Sequence, residues 1–251
     1  MSKPLFSVIS PVYNSARFLA EAVASVQAQT LDDWELVLVD DASQDGSLEL
    51  AEQLAARDQR IRVLPLQENV GPAKARNTAI AEARGRYLAF LDSDDIWCPE
   101  KLERQLSLLK LSGASLVYSA YEKVNETGAR SGRVVQVPSR VSYQDLLRAT
   151  VIATVTAVVD IERTGPIRMP DIRKRQDYAF WLYLLRNHGM AYGVQYPLAY
   201  LRKRPGSLSS NKLSATWYTW RVYREFEHLH IPASLYYLGH YGLRALRKSL
   251  V

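Results

Sequence analysis

The first 110 residues alternate between two hydrophobic periods. Short β-rich runs at residues 6–12, 35–39, 61–64 and 87–91, each bounded by turn formers or charge, predict strands. Between them apolar residues recur at helical spacing. Phe18, Leu19, Ala22, Val23 and Val26 fall on one face, with Asn14 or Ser15 as N-cap, and Leu48, Ala51, Leu54 and Ala55 repeat the pattern after Asp45-Gly46. Two further helices begin near Pro72 and Pro99, in the first-turn position that proline tolerates. Strand, helix, strand, helix predicts βαβ units on a parallel sheet, an α/β fold.

From about residue 112 this alternation stops. Strands are predicted at 115–124, 134–137 and 192–201, helical segments at 143–148 and 176–186, and two tail helices within 213–251, broken at Ile231-Pro232. Neither an internal repeat nor a low-complexity linker interrupts the chain. The second half is therefore expected to share one core with the first, giving a unit over residues 1–211, divided near 111, and a tail over 212–251.

Composition narrows the class. The 251 residues are 47% hydrophobic and 23% charged, which excludes a disordered or collagenous chain. A single cysteine, Cys98, excludes an intramolecular disulfide or a cysteine-cluster metal site and fits a reducing compartment. The N-terminal apolar run is too short for a signal peptide, and no window approaches the ~18 apolar residues of a membrane span, so a cytoplasmic protein that does not cross the bilayer is expected. The net charge of +6 is concentrated at one end, since residues 200–251 carry nine Lys/Arg against two Glu.

Open α/β sheets bind ligands at the carboxyl ends of their strands. There the sequence places Tyr13-Asn14, Asp40-Asp41 and Asp92-Ser93-Asp94-Asp95. Any one of these groups alone reads as ordinary turn and cap chemistry, but three at one edge point to a site. Asp92-x-Asp94 offers hard oxygen ligands suited to Mg²⁺ or Mn²⁺ on a diphosphate. Lys74 and Arg76 sit in the first turn of a predicted helix, where the macrodipole disfavours cations unless an anion is near; a nucleotide phosphate would supply it, and plain solvation is the alternative. Neither Gly-x-Gly-x-x-Gly nor a P-loop occurs, and there is no HExxH spacing or Gly-x-Ser-x-Gly. His228-x-His230 is expected at the surface or an interface rather than on a metal, and Cys98 as a packed or capping residue.

Four ordered segments carry a resemblance. Ser7-Val8-Ile9-Ser10-Pro11-Val12-Tyr13-Asn14, Val39-Asp40-Asp41-Ala42-Ser43-Gln44-Asp45-Gly46-Ser47, Asn69-Val70-Gly71-Pro72-Ala73-Lys74-Ala75-Arg76-Asn77 and Phe90-Leu91-Asp92-Ser93-Asp94-Asp95 resemble, in order and spacing, family 2 glycosyltransferases of the GT-A fold. The match continues more thinly through Arg175-Gln176-Asp177-Tyr178-Ala179-Phe180-Trp181 and from Tyr200-Leu201-Arg202 to Ser207-Leu208-Ser209-Ser210-Asn211-Lys212, which is similar to the bacterial surface-polysaccharide branch, including teichuronic-acid transferases.

The resemblance implies a Rossmann-like nucleotide-binding half over residues 1–111 with a mostly parallel sheet, a fused acceptor-side half over 112–211, and C-terminal helices. It also implies roles. Pro11 and Tyr13 would line the base pocket, Asp41 would accept from a uracil-type imide, and Arg76, Asp92 and Ser93 would lie against the nucleotide sugar. Asp94 would hold the divalent metal, Mn²⁺ or Mg²⁺, and Asp177 would be the general base of an inverting transfer from a nucleoside-diphosphate sugar, most simply UDP-linked, to a polysaccharide or lipid-linked acceptor. Two departures stand out. Gln176 occupies a position often held by Glu, which changes acceptor contacts, and Ala42 replaces a glycine, a loss expected to matter only where that position needs positive φ.

A metal-dependent nucleotidyl or phosphoryl transferase would use the same Asp-x-Asp but leave Asp177 idle; the bland reading of Asp177 is a helix cap. In the tail, Trp217, Tyr218, Trp220, Tyr223, Tyr236, Tyr237 and Tyr241 interleave with Arg221, Arg224, Arg244, Arg247 and Lys248. This suits an amphipathic segment on an anionic membrane surface, which would place the enzyme peripherally at the inner face of the cell membrane. The alternatives are that the aromatic face packs on the catalytic unit or forms a homodimer. Nucleic acid is not expected as a partner, because the acidic edge would repel a polyanion.

Overall fold

The computed structural model describes residues 3–203 and 212–249, so Ser207–Asn211 of the thinner match lies outside the described residues. Its regular part runs β1 (Phe6–Val12), α1 (Ala16–Gln27), β2 (Trp34–Asp40), α2 (Ser47–Arg57), β3 (Ile61–Pro65), α3 (Pro72–Glu82) and β4 (Tyr87–Phe90). β1 and β2 are buried along almost their whole length, as strands covered on both faces must be. Alternate residues feed opposite faces: Val8, Leu36, Leu38 and Ala89 pack under α1, while Ile9, Val37, Val39 and Leu88 pack under α3.

After β4 come β5 (Ile96–Trp97), α4 (Lys101–Ser112), β6 (Leu116–Val124), β7 (Arg130–Val135), β8 (Arg140–Val141) and α5 (Tyr143–Arg148). A 3-10 turn at Thr154–Thr156 then leads to β9 (Val158–Asp160), α6 (Ile161–Thr164), α7 (Gln176–His188) and β10 (Ala191–Arg202). The tail comprises α8 (Lys212–Arg221), a π-helical turn at Val222–Phe226 and α9 (Ile231–Ser249), which begins at the predicted break. Among the described residues no helix is long and apolar enough to cross a membrane.

One sheet runs through both halves in the order β3-β2-β1-β4-β9-β6-β10-β5, with β7 beside β6 and β8 beside β10. β1 to β4 are mutually parallel where they pair; β9 is antiparallel to both β4 and β6, so β6 and its parallel neighbour β10 resume the common direction. The two halves interleave. β9 enters between β4 and β6, and the two-residue β5 crosses to the far edge, where Trp97 and Ile96 pair with Ala199 and Tyr200. Neither short strand was expected, because two or three residues carry no periodicity.

Candidate functional site

The carboxyl ends of β1, β2 and β4 meet where parallel strands leave their polar termini. Pro11 lies in register with Val39, and the exposed Tyr13 ring (48% accessible) stands just beyond β1. The Tyr13 carbonyl accepts from Ser15 Oγ at 3.0 Å, and Ser93 Oγ reaches Ser15 Oγ at 2.8 Å. The loop after β1 and the acidic loop are thereby joined through two hydroxyls. Ser15 is the N-cap residue of α1, without a side-chain cap bond; its hydroxyl serves this junction instead.

Asp41 is buried, and both its oxygens accept backbone hydrogen bonds, from Val70 N at 2.7 Å and Gly71 N at 2.9 Å. It fastens the entry to α3 against the end of β2. Burial pushes its carboxyl above the ordinary value, opposed by those two amides. Each oxygen keeps a further lone pair for a ligand. The next residue, Ala42, adopts φ +57°, so the departure from glycine does fall on a left-handed position.

Arg76 is not a solvated surface cation: only 5% of it is accessible, and its guanidinium donates to Asp92. Its Nε and Nη1 are buried without a partner among the described residues. Buried guanidinium donors are costly to leave unmade, so this cation is poised for an anion at the same edge. Lys74, by contrast, is half-exposed and pairs with Asp171 at 3.4 Å.

The acidic loop is clasped by one residue from the far end of the sheet. Arg202 donates from its backbone N to Asp95 Oδ1 at 2.8 Å, from Nε to the Asp94 carbonyl at 2.8 Å, and from Nη1 to the Glu126 carbonyl at 2.8 Å. Asp95 is buried, and that burial, followed by the charges of Asp94 and Asp92, raises its carboxyl well above the ordinary value. The loop thus presents Asp92 and Asp94 outward and turns Asp95 inward. Among the described residues no three His, Cys, Asp or Glu side chains gather to hold an ion by themselves. Asp92 and Asp94 supply carboxylate oxygens of the kind through which a protein holds Mg²⁺ or Mn²⁺ together with substrate phosphates.

On the other side, the N-cap of α7 is Arg175, at φ +65°, so Asp177 stands inside the first turn and is not the cap. Asp177 Oδ2 accepts from Thr154 Oγ1 at 2.8 Å, and Oδ1 accepts from Tyr178 N at 2.8 Å. One turn on, Trp181 packs edge-on against Phe90 at 5.5 Å, two residues before Asp92, which ties the Asp177 helix to the end of β4. The 3-10 turn that carries Thr154 is braced from below: Trp97 Nε1 donates to the Val155 carbonyl at 3.0 Å and Gln105 Nε2 to the Thr156 carbonyl at 2.8 Å. Gln176 and Trp181 each bury one polar side-chain atom, Oε1 and Nε1, without a partner.

Sequence reasoning missed Thr154, Asp95 as the inward carboxylate, and Arg202 as the clasp. Thr154 lies in an uncharged stretch with no motif, and Arg202 was visible only as part of the thinner match. The tail divides by residue. Tyr223 is fully buried and donates to the Leu147 carbonyl at 2.6 Å, Tyr237 packs on the same core, and Tyr241 accepts from Arg175. Trp217, Ile231, Leu235 and Tyr236 remain exposed. His228 and His230 are at the surface and Cys98 is buried. The side chains of Arg244, Arg247 and Lys248 lie outside the described residues.

Comparisons with known proteins converge. The chain matches the family model "Glycosyl transferase family 2" over residues 7–160. It is 42% identical over 248 residues, covering 99% of this chain and 98% of the relative, to TuaG of Bacillus subtilis (strain 168), a glycosyltransferase named for teichuronic acid biosynthesis. It is 34% identical over 249 residues, 99% of this chain and 96% of the relative, to Escherichia coli WfgD, named as a UDP-Glc:alpha-D-GlcNAc-diphosphoundecaprenol beta-1,3-glucosyltransferase. Among solved structures, residues 1–349 of S. aureus TarS in complex with UDP-GlcNAc match with a TM-score of 0.72 at 23% identity, covering 93% of this chain and 70% of that one.

Proposed function

The chain belongs to glycosyl transferase family 2 and has the GT-A fold, and from that premise we propose that it is a metal-dependent inverting glycosyltransferase of surface-polysaccharide synthesis. Its donor is a nucleoside-diphosphate sugar, a UDP-sugar by likeness to relatives whose names carry UDP-Glc and UDP-GlcNAc. Its acceptor is a hydroxyl of a polysaccharide or lipid-linked oligosaccharide. The observation that carries this reading is the pairing of a donor edge, with an exposed Tyr13 ring and orphaned Arg76 donors, with a carboxylate held on the opposite side by Thr154.

In this reading residues 1–111 serve the donor. Pro11 and Tyr13 flank the base, Asp41 accepts from its imide, Arg76 meets the phosphates, and Asp92 and Ser93 meet the ribose side. Asp94 would hold Mn²⁺ or Mg²⁺, which when bound offsets charge on the departing diphosphate. Residues 112–211 serve the acceptor. Asp177 accepts the proton of the acceptor hydroxyl as its oxygen bonds to the anomeric carbon from the face opposite the diphosphate. The bond to the diphosphate breaks with its electron pair on the leaving oxygen, so the configuration inverts and no covalent intermediate forms. Residues 212–251 hold the enzyme peripherally at the inner face of the cell membrane, with Trp217, Ile231, Leu235 and Tyr236 toward the lipid.

The test is thermal unfolding with UDP, GDP, CDP and TDP, each with Mn²⁺ or with chelator. A ligand at 100 times its Kd adds about 2.7 kcal/mol, so one diphosphate should raise the Tm in a metal-dependent way. No shift with any of the four would overturn the donor assignment.

A further inference from the structure

The segment that leads into the base carries charge that the fold does not neutralise. Arg168, Arg173, Lys174 and Arg175 lie within eight residues, immediately before Gln176 and Asp177. Asp171 is the one carboxylate among them before the base, and it pairs with Lys74. Lys174 Nζ donates to Ser214 Oγ at 2.9 Å and Arg175 donates to the Tyr241 hydroxyl, both neutral partners from the tail helices α8 and α9. Arg168 and Arg173 are exposed and have no hydrogen bond or ion pair among the described residues. Four cations within eight residues, with no carboxylate counter-ion among the described residues, make this segment a positive patch that favours an anion.

The surroundings say what kind of anion. Arg168 lines a cavity of about 980 Å³ whose walls are mostly apolar, Leu66, Ile80, Ile161 and Ile167 among them, with Lys74 and Glu82 also on it. A multiply charged patch beside a mostly apolar cavity fits an amphiphile with an anionic head. The αL conformation of Arg175, costly for a non-glycine residue, sits at the joint between this segment and the helix of the base. We propose that residues 168–175 bind the diphosphate of a lipid-linked acceptor, Arg168 and Arg173 as its direct ligands, with the first units of the lipid lying in the cavity beside α3. The diphosphate then fixes the acceptor sugar in front of Asp177. This rests on the reading of the acceptor as lipid-linked.

Farnesyl diphosphate is the probe, titrated calorimetrically into the full chain saturated with UDP and Mn²⁺ so that the donor site is filled. It is expected to bind the wild type, and more tightly than inorganic pyrophosphate. Arg168→Gln with Arg173→Gln, both at exposed positions, should weaken it about tenfold or more while leaving UDP affinity unchanged. Unchanged farnesyl diphosphate affinity in the double variant, or failure of the wild type to bind, overturns the site while leaving a lipid-linked acceptor standing. Loss of binding to phosphatidylglycerol vesicles with farnesyl diphosphate affinity intact identifies bilayer headgroups as the anion and also overturns the proposal. The titration requires no turnover, so the base role of Asp177 stands or falls separately.

Discussion

The proposed donor edge, at the ends of β1, β2 and β4, and the proposed base side, around Asp177, are built in different ways. At the proposed donor edge the polar groups sit at strand ends or in the first turns of α3 and are held by partners within the repeating βαβ frame: Asp41 by Val70 and Gly71, Arg76 by Asp92, Ser93 by Ser15. On the base side Asp177 depends on one side-chain hydroxyl, Thr154, carried by a turn that is itself fixed by Trp97 and Gln105 from after the acidic loop. The first arrangement lies within one regular frame and is held by several partners; the second joins a turn and a helix through a single side-chain hydroxyl, beside the Tyr178 amide. Damage to the donor edge should therefore degrade binding gradually, whereas damage on the base side should abolish chemistry with binding intact.

The sharpest way to break this contrast is Asp177→Asn. Transfer should fall by about 10²–10⁴-fold while nucleoside-diphosphate affinity stays within error, measured by initial rates and by calorimetry. Near wild-type turnover would remove Asp177 from the chemistry. Arg76→Met should do the reverse, weakening diphosphate binding about 10–100-fold by leaving Asp92 unpaired and removing the buried donors. An unaltered Kd would show that the guanidinium serves only Asp92.

A third experiment probes the bracing beneath the base. Lys101 is fully buried, contacts Gln105 Oε1 and lies over the Trp97 ring at 4.3 Å, and burial lowers its ammonium from 10.5 to about 7. The unfolded chain then binds more protons than the folded one between pH 7 and about 10.5, so stability rises with pH across that interval and is lowest below it. Urea denaturation at pH 6 and pH 9 should show a gain of a few kcal/mol in the wild type and a much flatter profile in Lys101→Met. Equal slopes in both would mean the lysine is not the titrating group. The smallest effect belongs to the donor edge: Ala42→Gly relieves the left-handed strain and should stabilise by about 0.5–1 kcal/mol in the same assay.

Legibility follows the same division. The four strands, their helices and the residues at their ends were visible in the sequence because a periodic pattern places strand ends without knowledge of distant partners. The left-handed Ala42 marks the limit of that reading, since a backbone angle is not written in a residue type that ordinarily avoids it. Asp177 was legible through a family resemblance, whereas its partner Thr154, 23 positions earlier, was not. Nor was the split within the tail, where Tyr223 and Tyr236 look alike along the chain yet one is buried and the other exposed. Such differences are made by packing, and packing partners such as Leu147 and Tyr178 lie far away in sequence.

The Arg202 clasp also sets an order in time. The acidic loop is synthesised more than a hundred residues before the arginine that secures Asp94 and Asp95, and β5, just after that loop, finds its strand partner only in β10. Contacts of such long sequence separation form late and slowly, since the closing of the intervening chain must come first. On the ribosome the β1–β4 segment is thus made well before the residue that fastens its acidic loop. A finished acidic loop is expected only once residue 202 has been made and paired.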